Sequence, residues 1–316
     1  MHTVAVVVLE DFILFDLALA VDVFDRARSQ AGEPLYKVYV AGQNQRVSSQ
    51  MLSADTSCGL EVLAKADTII VPGRAADTPT HPDVTSALQA AARRGARIAS
   101  ICAGAFVLAE AGLLDGLKAT THWRLTDALA ARYPKVEVAP DVLFVDNGQV
   151  LTSAGLSSGI DLCLHMIRQD YGARAASLVA EDFVTPLPRE GAQAQRITRN
   201  DLELQDEFAV ILLWVRERLG QEISTTQIAD QFHLSTRSLS RKFRKMTGTT
   251  PLQWILQARI RQAQLLLETS DLPVESIATA TGFSSGGMLR THFQRSVGVS
   301  PTMWRATYQK PTRAVR

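Results

Sequence analysis

Residues 224–308 contain one sequence pattern twice, at a spacing of 50 positions, and this duplication constrains the fold more than any other feature of the chain. Each copy has an Ile-Ala pair (Ile228-Ala229 and Ile277-Ala278), room for a tight turn, a second helical stretch and a Gly-x-x-Pro-x-x-Trp ending. The positions in register are Ser235/Ser285, Phe243/Phe293, Gly248/Gly298, Pro251/Pro301 and Trp254/Trp304. The pattern predicts two helix-turn-helix units in an all-α C-terminal part.

The second helix of the first copy, 235–246, is amphipathic. Ser235 is a favourable N-cap, and Leu239, Phe243 and Met246 form the expected buried stripe. Its other face is cationic: Arg237, Arg241, Lys242, Arg244 and Lys245. A charged, solvated surface is the alternative to a nucleic-acid surface, but the duplicated helix-turn-helix favours DNA.

The charge of the chain is divided between its two parts. Residues 1–206 hold 18 Lys+Arg and 25 Asp+Glu, a net charge of −7, whereas residues 207–316 hold 15 and 7, a net charge of +8. A basic C-terminal third suits a polyanion because neutralised phosphates supply most sequence-independent affinity. The helix expected over 254–267 would set the two recognition helices roughly 34 Å apart, in successive major-groove segments.

These residues resemble the AraC/XylS family of transcription regulators over about 100 residues. The shared motifs are Ser-x-Arg-x-Leu-x-Arg-x-Phe, Gly-x-x-Pro-x-x-Trp, Arg-Ile-x-x-Ala-x-x-Leu-Leu and Gly-Phe-Ser-Ser. The resemblance implies base contacts from Arg237, Ser240 and Arg241, with Lys242 as a further DNA-binding residue. In the second helix the matching positions are Gly286, Gly287, Arg290 and Thr291. Thr291 stands where the family more often has arginine, so we expect this helix to contact phosphates through Arg290 and Arg295.

The N-terminal part alternates short apolar runs with helical periodicity. Strands are predicted at 3–9, 36–41, 68–71, 97–101 and 150–153, and helices at 16–28, 83–93, 103–112, 123–132 and 156–170. This order predicts a parallel sheet covered on both faces, with a ligand crevice beyond the carboxyl ends of the strands. We expect a sensor domain over 1–184, a linker over 185–205, rich in turn formers at its start, and a DNA-binding domain over 206–316.

Cys102 follows a predicted strand and precedes a helix that begins with small residues. Small neighbours permit a sharp turn that presents a nucleophile above a helix N-terminus, where the helix dipole lowers a thiol pKa. Together with Val71-Pro-Gly, Ala119-Thr-Thr-His-Trp and Thr152-Ser-Ala-Gly, this segment resembles the ThiJ/PfpI branch of the class I glutamine amidotransferase-like superfamily. The resemblance covers nearly all of 1–190 and implies a flavodoxin-like α/β sandwich. The whole chain is similar to GlxA-type regulators.

In enzymes of that branch the cysteine works beside an acidic residue, which here falls on Asp16. Cys102 would then be a nucleophile, Asp16 its proton partner and the next backbone N–H groups an oxyanion hole. Ala103 stands where amidase and protease members have His, and His122 is the nearby candidate, with a structural or a ligand-binding role. Cys102 therefore remains open as a ligand-pocket residue, a vestigial structural position or a working nucleophile. Arg74 would bind an effector carboxylate or phosphate, or be solvated.

The resulting hypothesis is a ligand-responsive transcription regulator, not an enzyme, with an effector held near Asp16, Arg74, Cys102 and His122. The resemblance implies a small amino-acid-like or quaternary-ammonium effector, activation of catabolic genes, a homodimer, double-stranded DNA and RNA polymerase as partners. The alternatives are a cysteine-dependent hydrolase, hydratase or deglycase using Cys102 and Asp16, and a constitutive DNA-binding protein. Three cysteines without a CxxC predict no metal site, and we expect no cofactor. No apolar run approaches ~20 residues, so a cytoplasmic protein without membrane contact is expected.

Overall fold

The computed structural model describes residues 1–29, 31–49, 52–184, 189, 191–193, 195 and 199–309, with backbone only for 199–207. Most of the predicted linker 185–205 lies outside the residues whose side chains are described. The chain divides into two compact units. Unit 1 comprises Met1–Ile167 and Ala175–Arg196, and unit 2 comprises Arg168–Arg174 and Ile197–Arg316.

Unit 1 is an α/β domain built on a six-stranded sheet. Its strands are β1 His2–Val7, β2 Tyr36–Ala41, β3 Arg46–Ser48, β4 Ser53–Asp55, β5 Thr68–Val71, β6 Arg97–Ile101, β7 Lys118–Ala119, β8 Glu137–Val138, β9 Phe144–Asp146 and β10 Val150–Ser153. The central sheet has the order β2-β1-β5-β6-β10-β9. The first five strands of this order run parallel to one another, as the uninterrupted apolar runs predict: β2, β1, β5, β6 and β10.

The helices of unit 1 separate these strands along the chain. They are α1 Leu14–Asp25, α2 Pro82–Arg93, α3 Gly104–Glu110, α4 Thr126–Arg132 and α5 Ser157–Asp182, with a 3-10 helix at Leu60–Ala64. Residues 168–174 of α5 belong to unit 2. The predicted α/β alternation is confirmed. The antiparallel edge strand β9 and the small pairs β3-β4 and β7-β8 were not predicted, because runs of two or three residues carry too little periodicity.

Unit 2 is helical apart from its turns in the residues that the structure describes. Its helices are α6 Arg199–Glu217, α7 Thr225–Gln231, α8 Thr236–Thr247, α9 Pro251–Thr269, α10 Val274–Ala280, α11 Gly286–Val297 and α12 Pro301–Tyr308. The two predicted helix-turn-helix units are therefore α7-α8 and α10-α11, and α9 connects them. Every helix in the described part of the chain is too short or too polar to cross a bilayer.

The two copies in unit 2 use the same local devices. Ser235 Oγ accepts a hydrogen bond from Ser238 N at 3.1 Å, which caps α8, and Ser285 caps α11 in the same way. Gly248 and Gly298 end these helices in the left-handed region, at φ 72° and 85°. Each copy has its own apolar core, one around Phe243 and Trp254 and one around Phe293 and Trp304, so helix α9 is shared between two cores.

A buried carboxylate ties together three segments of unit 2. Glu268, on α9, is 5% exposed and accepts hydrogen bonds from Trp304 Nε1 at 2.9 Å, Ala173 N at 2.9 Å and Arg174 N at 2.8 Å. Gly172, at φ 88°, breaks helix α5 just before these donors, and a Cβ there would lie 3.0 Å from the Glu268 carboxylate. The three donors satisfy a group that would otherwise be costly to bury.

Candidate functional site

Cys102 occupies a sharp turn between strand β6 and helix α3. Its φ of 54° is in the left-handed region, its N–H donates to Ser153 O at 2.9 Å, and its carbonyl accepts from Thr121 Oγ1 at 2.8 Å. Position 155, which packs against this turn, must be glycine, because a Cβ on Gly155 would lie 2.3 Å from Cys102 Cβ. The predicted strand-turn-helix geometry is present, and the surrounding backbone holds the strained turn in place.

Asp16 lies beside this turn at the start of helix α1 and is fully buried. Its Oδ1 accepts a hydrogen bond from Leu156 N at 3.0 Å, whereas its Oδ2 has no well-aligned hydrogen bond among the described residues, although the Gly73 N–H and the Cys102 thiol lie close to the carboxylate. A Cβ on Gly73 would lie 2.4 Å from Asp16 Oδ2 and 3.0 Å from Cys102 Cβ. Asp16, Gly73 and Cys102 therefore meet beyond the carboxyl ends of β1, β5 and β6, where the fold predicts a ligand crevice.

Burial controls the electrostatics of this pair. It raises the pKa of the Asp16 carboxyl to about 6. The Leu156 and Gly73 N–H groups and the Cys102 thiol lower this pKa, but by less than burial raises it. Burial also raises the pKa of the Cys102 thiol to about 12, and the negative charge of Asp16 adds to that rise. The expected lowering of the thiol pKa by the helix dipole is thus wrong for Cys102, because desolvation outweighs it. At neutral pH the thiol is protonated.

Arg74 follows Gly73 at the end of β5 and forms an isolated bridge with Phe12. It is 6% exposed, so the solvated alternative is wrong, and its Nε has no hydrogen-bond partner among the described residues. Burial lowers its pKa, while the carboxylates of Asp11, Glu110 and Glu10 favour its charged form. Arg74 is a buried cation with a donor still unused.

His122 is half-buried and has no hydrogen bond to Cys102 or Asp16 in the described part of the chain. Its Nδ1 accepts from Arg124 N at 3.3 Å, and its pKa is lowered by burial and then by the charge of Arg124. Its neighbour Thr121, not His122, reaches the Cys102 turn. His122 is therefore not placed as a base for a Cys102 nucleophile.

Gln195 is a residue that the sequence did not single out. Its Nε2 donates to Thr121 O at 3.0 Å, Val142 O at 2.9 Å and Thr120 Oγ1 at 3.1 Å, and its backbone N donates to Asp141 Oδ1 at 3.1 Å. It lies in a polar stretch without periodicity, so no sequence signal identified it. Gln195 joins the last residues of unit 1 to the segment that contacts Cys102.

No group of three or more His, Cys, Asp or Glu side chains in the described ranges could hold a metal ion. The chemistry available beside the Cys102 turn is that of a buried carboxyl and a neutral thiol, whereas the Arg74 guanidinium has the carboxylates of Asp11, Glu110 and Glu10 as its charged neighbours.

The cationic face of α8 is exposed as predicted. Leu239 and Phe243 are fully buried, and Met246 is partly buried. Arg237 and Arg241 are exposed, and neither has an ion-pair partner among the described residues. Ser240 and Lys242 are half-buried. Helix α8 therefore presents two arginines on its open face.

Helix α11 differs from α8. Gly286 is buried, Gly287 is exposed, and the Thr291 hydroxyl donates to Gly287 O of its own helix at 3.0 Å. Arg290 Nη2 lies 2.6 Å from Oε1 of Glu275 on α10, while Arg295 is exposed near the helix end. No motif in the sequence identified Glu275 as a functional residue.

Two family models match the chain. The DJ-1/PfpI family matches residues 2–169, and a helix-turn-helix domain matches residues 228–307.

Several curated relatives are similar over most of the chain. The HTH-type transcriptional regulator ArgR of Pseudomonas aeruginosa is 32% identical over 228 residues, which cover 72% of this chain and 69% of that protein. The HTH-type transcriptional regulator GlxA of Rhizobium meliloti is 31% identical over 303 residues, which cover 92% of this chain and 91% of that protein.

Solved structures match unit 1 in fold. An AraC family transcriptional regulator from Pseudomonas putida matches with a TM-score of 0.53 and 24% identity, covering 58% of this chain and 100% of that chain. Drosophila melanogaster DJ-1beta matches with a TM-score of 0.51 and 22% identity, covering 58% of this chain and 98% of that chain.

Proposed function

The chain belongs to the DJ-1/PfpI family and, through its C-terminal helix-turn-helix domain, to the AraC-family transcription regulators, and from this premise we propose that a small effector controls its binding to DNA. The effector site is the crevice of Asp16, Arg74 and Cys102, with His122 at its side. The double-stranded operator is read by α8 and α11. In this proposal the sensor domain spans 1–184, the linker 185–205 and the DNA-binding domain 206–316.

One observation supports the effector class: two buried polar atoms, Asp16 Oδ2 on a carboxyl and Arg74 Nε on a guanidinium, have no well-aligned hydrogen bond among the described residues. Buried polar atoms are normally satisfied, so such atoms in a crevice point to a ligand. A small molecule with a cationic nitrogen and a carboxylate would satisfy both. An amino-acid-like ammonium can donate to Asp16 Oδ2, whereas a quaternary ammonium offers charge alone.

The protonated state of Cys102 favours a sensor over an enzyme. A nucleophilic cysteine needs a thiolate or a nearby base, and here the thiol pKa is raised to about 12 while His122 has no hydrogen bond to Cys102 among the described residues. Ala103 occupies the place of the His found in amidase relatives. The relatives are named as transcriptional regulators, in agreement with this assignment.

Gln195 supplies a route from the crevice towards the DNA-binding domain. Thr121 donates to the Cys102 carbonyl and accepts from Gln195, two positions before unit 2 resumes at residue 197. An effector that moves the Cys102 turn changes the position of Thr121 and thus the contact of Gln195. For such control the effector must bind the two arrangements with different affinities.

The proposal includes a homodimer, activation of catabolic genes through RNA polymerase, and a cytoplasmic location. The relatives named as transcriptional regulators support the gene-regulatory part. Exposed apolar side chains on α1, Leu14 and Phe15, each 49% exposed, are consistent with a partner surface on unit 1.

The test is a thermal-shift screen of the full chain against amino acids, betaines, carnitine-like compounds and polyamines, with NMR of each hit to detect turnover. A ligand at ~100 times its Kd stabilises its domain by ~2.7 kcal/mol. Arg74→Gln and Asp16→Asn should each abolish the shift, whereas Arg46→Gln should preserve it, because Arg46 is an exposed arginine of the same unit. A consumed hit would favour the cysteine-dependent enzyme, and no hit would favour a constitutive DNA-binding protein.

A further inference from the structure

The second recognition helix offers few side chains to a base edge. In the first two turns of α11, Gly286 and Gly287 have no side chain and Thr291 bonds to its own helix. Arg290 is the cationic side chain there. If α11 distinguishes base pairs by hydrogen bonds, Arg290 must carry most of that discrimination.

Arg290 is not free in its orientation. Its Nη2 lies 2.6 Å from Oε1 of Glu275, which is fifteen positions earlier and on the other helix of the unit. A Cβ on Gly286 would lie 2.9 Å from Glu275 Oε1 and 3.2 Å from Arg290 Nη1. The missing side chain of Gly286 therefore leaves the space in which this ion pair forms.

Stability does not account for the pair. The Arg290 and Glu275 side chains are 49% and 65% exposed, and ion pairs between exposed side chains add little to folding. Near DNA a carboxylate is unfavourable, because the phosphates repel it. A phosphate-contacting arginine has no need of such a neighbour, whereas a base-reading arginine benefits from one that fixes the plane of its guanidinium.

The first copy lacks this arrangement. Alignment of the two Ile-Ala pairs, which are 49 positions apart, places Thr226 at the position of Glu275. The spacing of 50 that holds from Ser235 onwards places Ser240 at the position of Arg290 and Thr236 at the position of Gly286. Helix α8 instead has Arg237 and Arg241, which are exposed and outside any ion pair in the described part of the chain. The Glu-Gly-Arg arrangement belongs to the second copy.

We propose that Glu275 is a positioning residue for DNA reading, which holds the Arg290 guanidinium across Gly286 so that its remaining donors meet a guanine in the half-site of α11. A guanidinium has five N–H donors, and guanine presents O6 and N7 as paired acceptors in the major groove. This inference rests on the proposed reading of an operator by α8 and α11, and it replaces the expectation that α11 contacts mainly phosphates.

The test is selection of bound duplexes from a pool with a random central segment, using the full chain and sequencing of the bound fraction. The wild type should enrich a motif in two parts about one helical turn apart. Glu275→Ala and Gly286→Ala should each lower the guanine preference in the α11 part by ~5-fold or more and leave the α8 part unchanged. Glu275→Gln, which keeps an acceptor, should give a smaller loss.

Two controls separate positioning from a simple change of charge. Glu217→Gln removes an equal charge and another exposed ion pair, with Arg218 at 3.2 Å, but Glu217 is on α6, outside both recognition helices, so both parts of its motif should persist. Binding of Glu275→Ala to a non-cognate duplex should be unchanged or tighter, because a negative charge is lost. Arg241→Ala identifies the α8 part of the motif.

Three results would overturn the inference: a wild-type motif with a single part that Arg241→Ala abolishes, an α11 guanine preference that survives both Glu275→Ala and Gly286→Ala, or equal losses in both parts. A wild type that enriches no motif would instead contradict the proposed operator reading itself. Gly286 is not in the left-handed region, so its backbone accepts alanine, and Gly286→Ala disturbs the ion pair while both charged residues are kept.

Discussion

The side-chain amide of Gln195 donates a hydrogen bond to the backbone carbonyl of Thr121 at 3.0 Å, and the Thr121 hydroxyl in turn donates one to the carbonyl of Cys102. The end of unit 1 is thereby two hydrogen bonds away from the turn that presents Cys102. The contact is polar and half-buried, so it can be broken without removing any apolar core.

Replacing Gln195 by Ala should uncouple effector binding from DNA binding. The loss leaves the carbonyls of Thr121 and Val142 without this donor, at a local cost of ~1–3 kcal/mol. Hydrogen exchange should accelerate in residues 118–122 and 139–144, while effector affinity changes little and the effector response of a reporter gene falls. Gln193→Ala is the control, because Gln193 lies in the same segment and has no hydrogen bond within the described residues. Equal behaviour of the two variants would contradict the coupling role.

Replacing Asp16 by Asn should stabilise unit 1 increasingly as pH rises. The pKa of Asp16 is raised to about 6 by burial, so the folded state prefers the protonated carboxyl. The stabilisation that protonation provides is complete below the ordinary pKa of about 4 and is lost as pH rises through about 6, on the order of 3 kcal/mol in total. Asparagine removes this pH dependence.

Calorimetry of the full chain at several pH values from 4 to 8 measures the difference in unfolding free energy between Asp16→Asn and the wild type. Asp22→Asn is the matched control, since Asp22 is an exposed carboxylate on the same helix. A difference that does not vary with pH would refute the buried-carboxyl assignment. Binding of a cationic effector should also weaken below pH 6, as Asp16 loses its charge.

Cys102 should react slowly with iodoacetamide. A thiol whose pKa is raised from 9.0 to about 12 has roughly a thousandfold less thiolate at pH 8 than an unperturbed one. Mass spectrometry of the alkylated peptides should show the half-buried Cys58 modified well before Cys102. Asp16→Asn should accelerate the alkylation of Cys102, because the substitution removes the neighbouring negative charge. Rapid modification of Cys102 in the wild type would instead revive the enzyme alternative.

Much of the fold could be predicted because the signals are local. The apolar runs predict the parallel strands, and the serine and glycine positions predict the ends of α8 and α11, since capping depends on a few adjacent residues. The edge strand β9 was missed because three residues show no period. The duplication predicted both helix-turn-helix units, since each copy supports the interpretation of the other.

The details of the sites could not be predicted, because they depend on residues distant in sequence. Arg290 was identified from the motif, but its partner Glu275 comes from another helix. The motif around Cys102 suggests a lowered thiol pKa, yet the packing of Gly155 and Asp16 against it excludes water and reverses the direction. A motif predicts which groups are present, whereas burial determines their protonation.

Replacing Arg241 by Ala should separate base reading from phosphate binding. Arg241 is exposed on α8, and a guanidinium forked onto guanine contributes ~1–3 kcal/mol of discrimination. Affinity for a selected duplex should fall by that amount, while affinity for a random duplex should change little. Titration against both duplexes, at several salt concentrations, measures the two effects.

Arg295→Ala is the informative contrast, because Arg295 is an exposed arginine near the end of α11, where phosphates are expected. Its loss should weaken binding to both duplexes alike and lower the salt dependence by about one phosphate contact. If Arg241→Ala weakens both duplexes equally, Arg241 contacts phosphates and the base-reading role of α8 passes to Arg237. The salt slope decides between these outcomes, because a lost base contact leaves it unchanged and a lost phosphate contact does not.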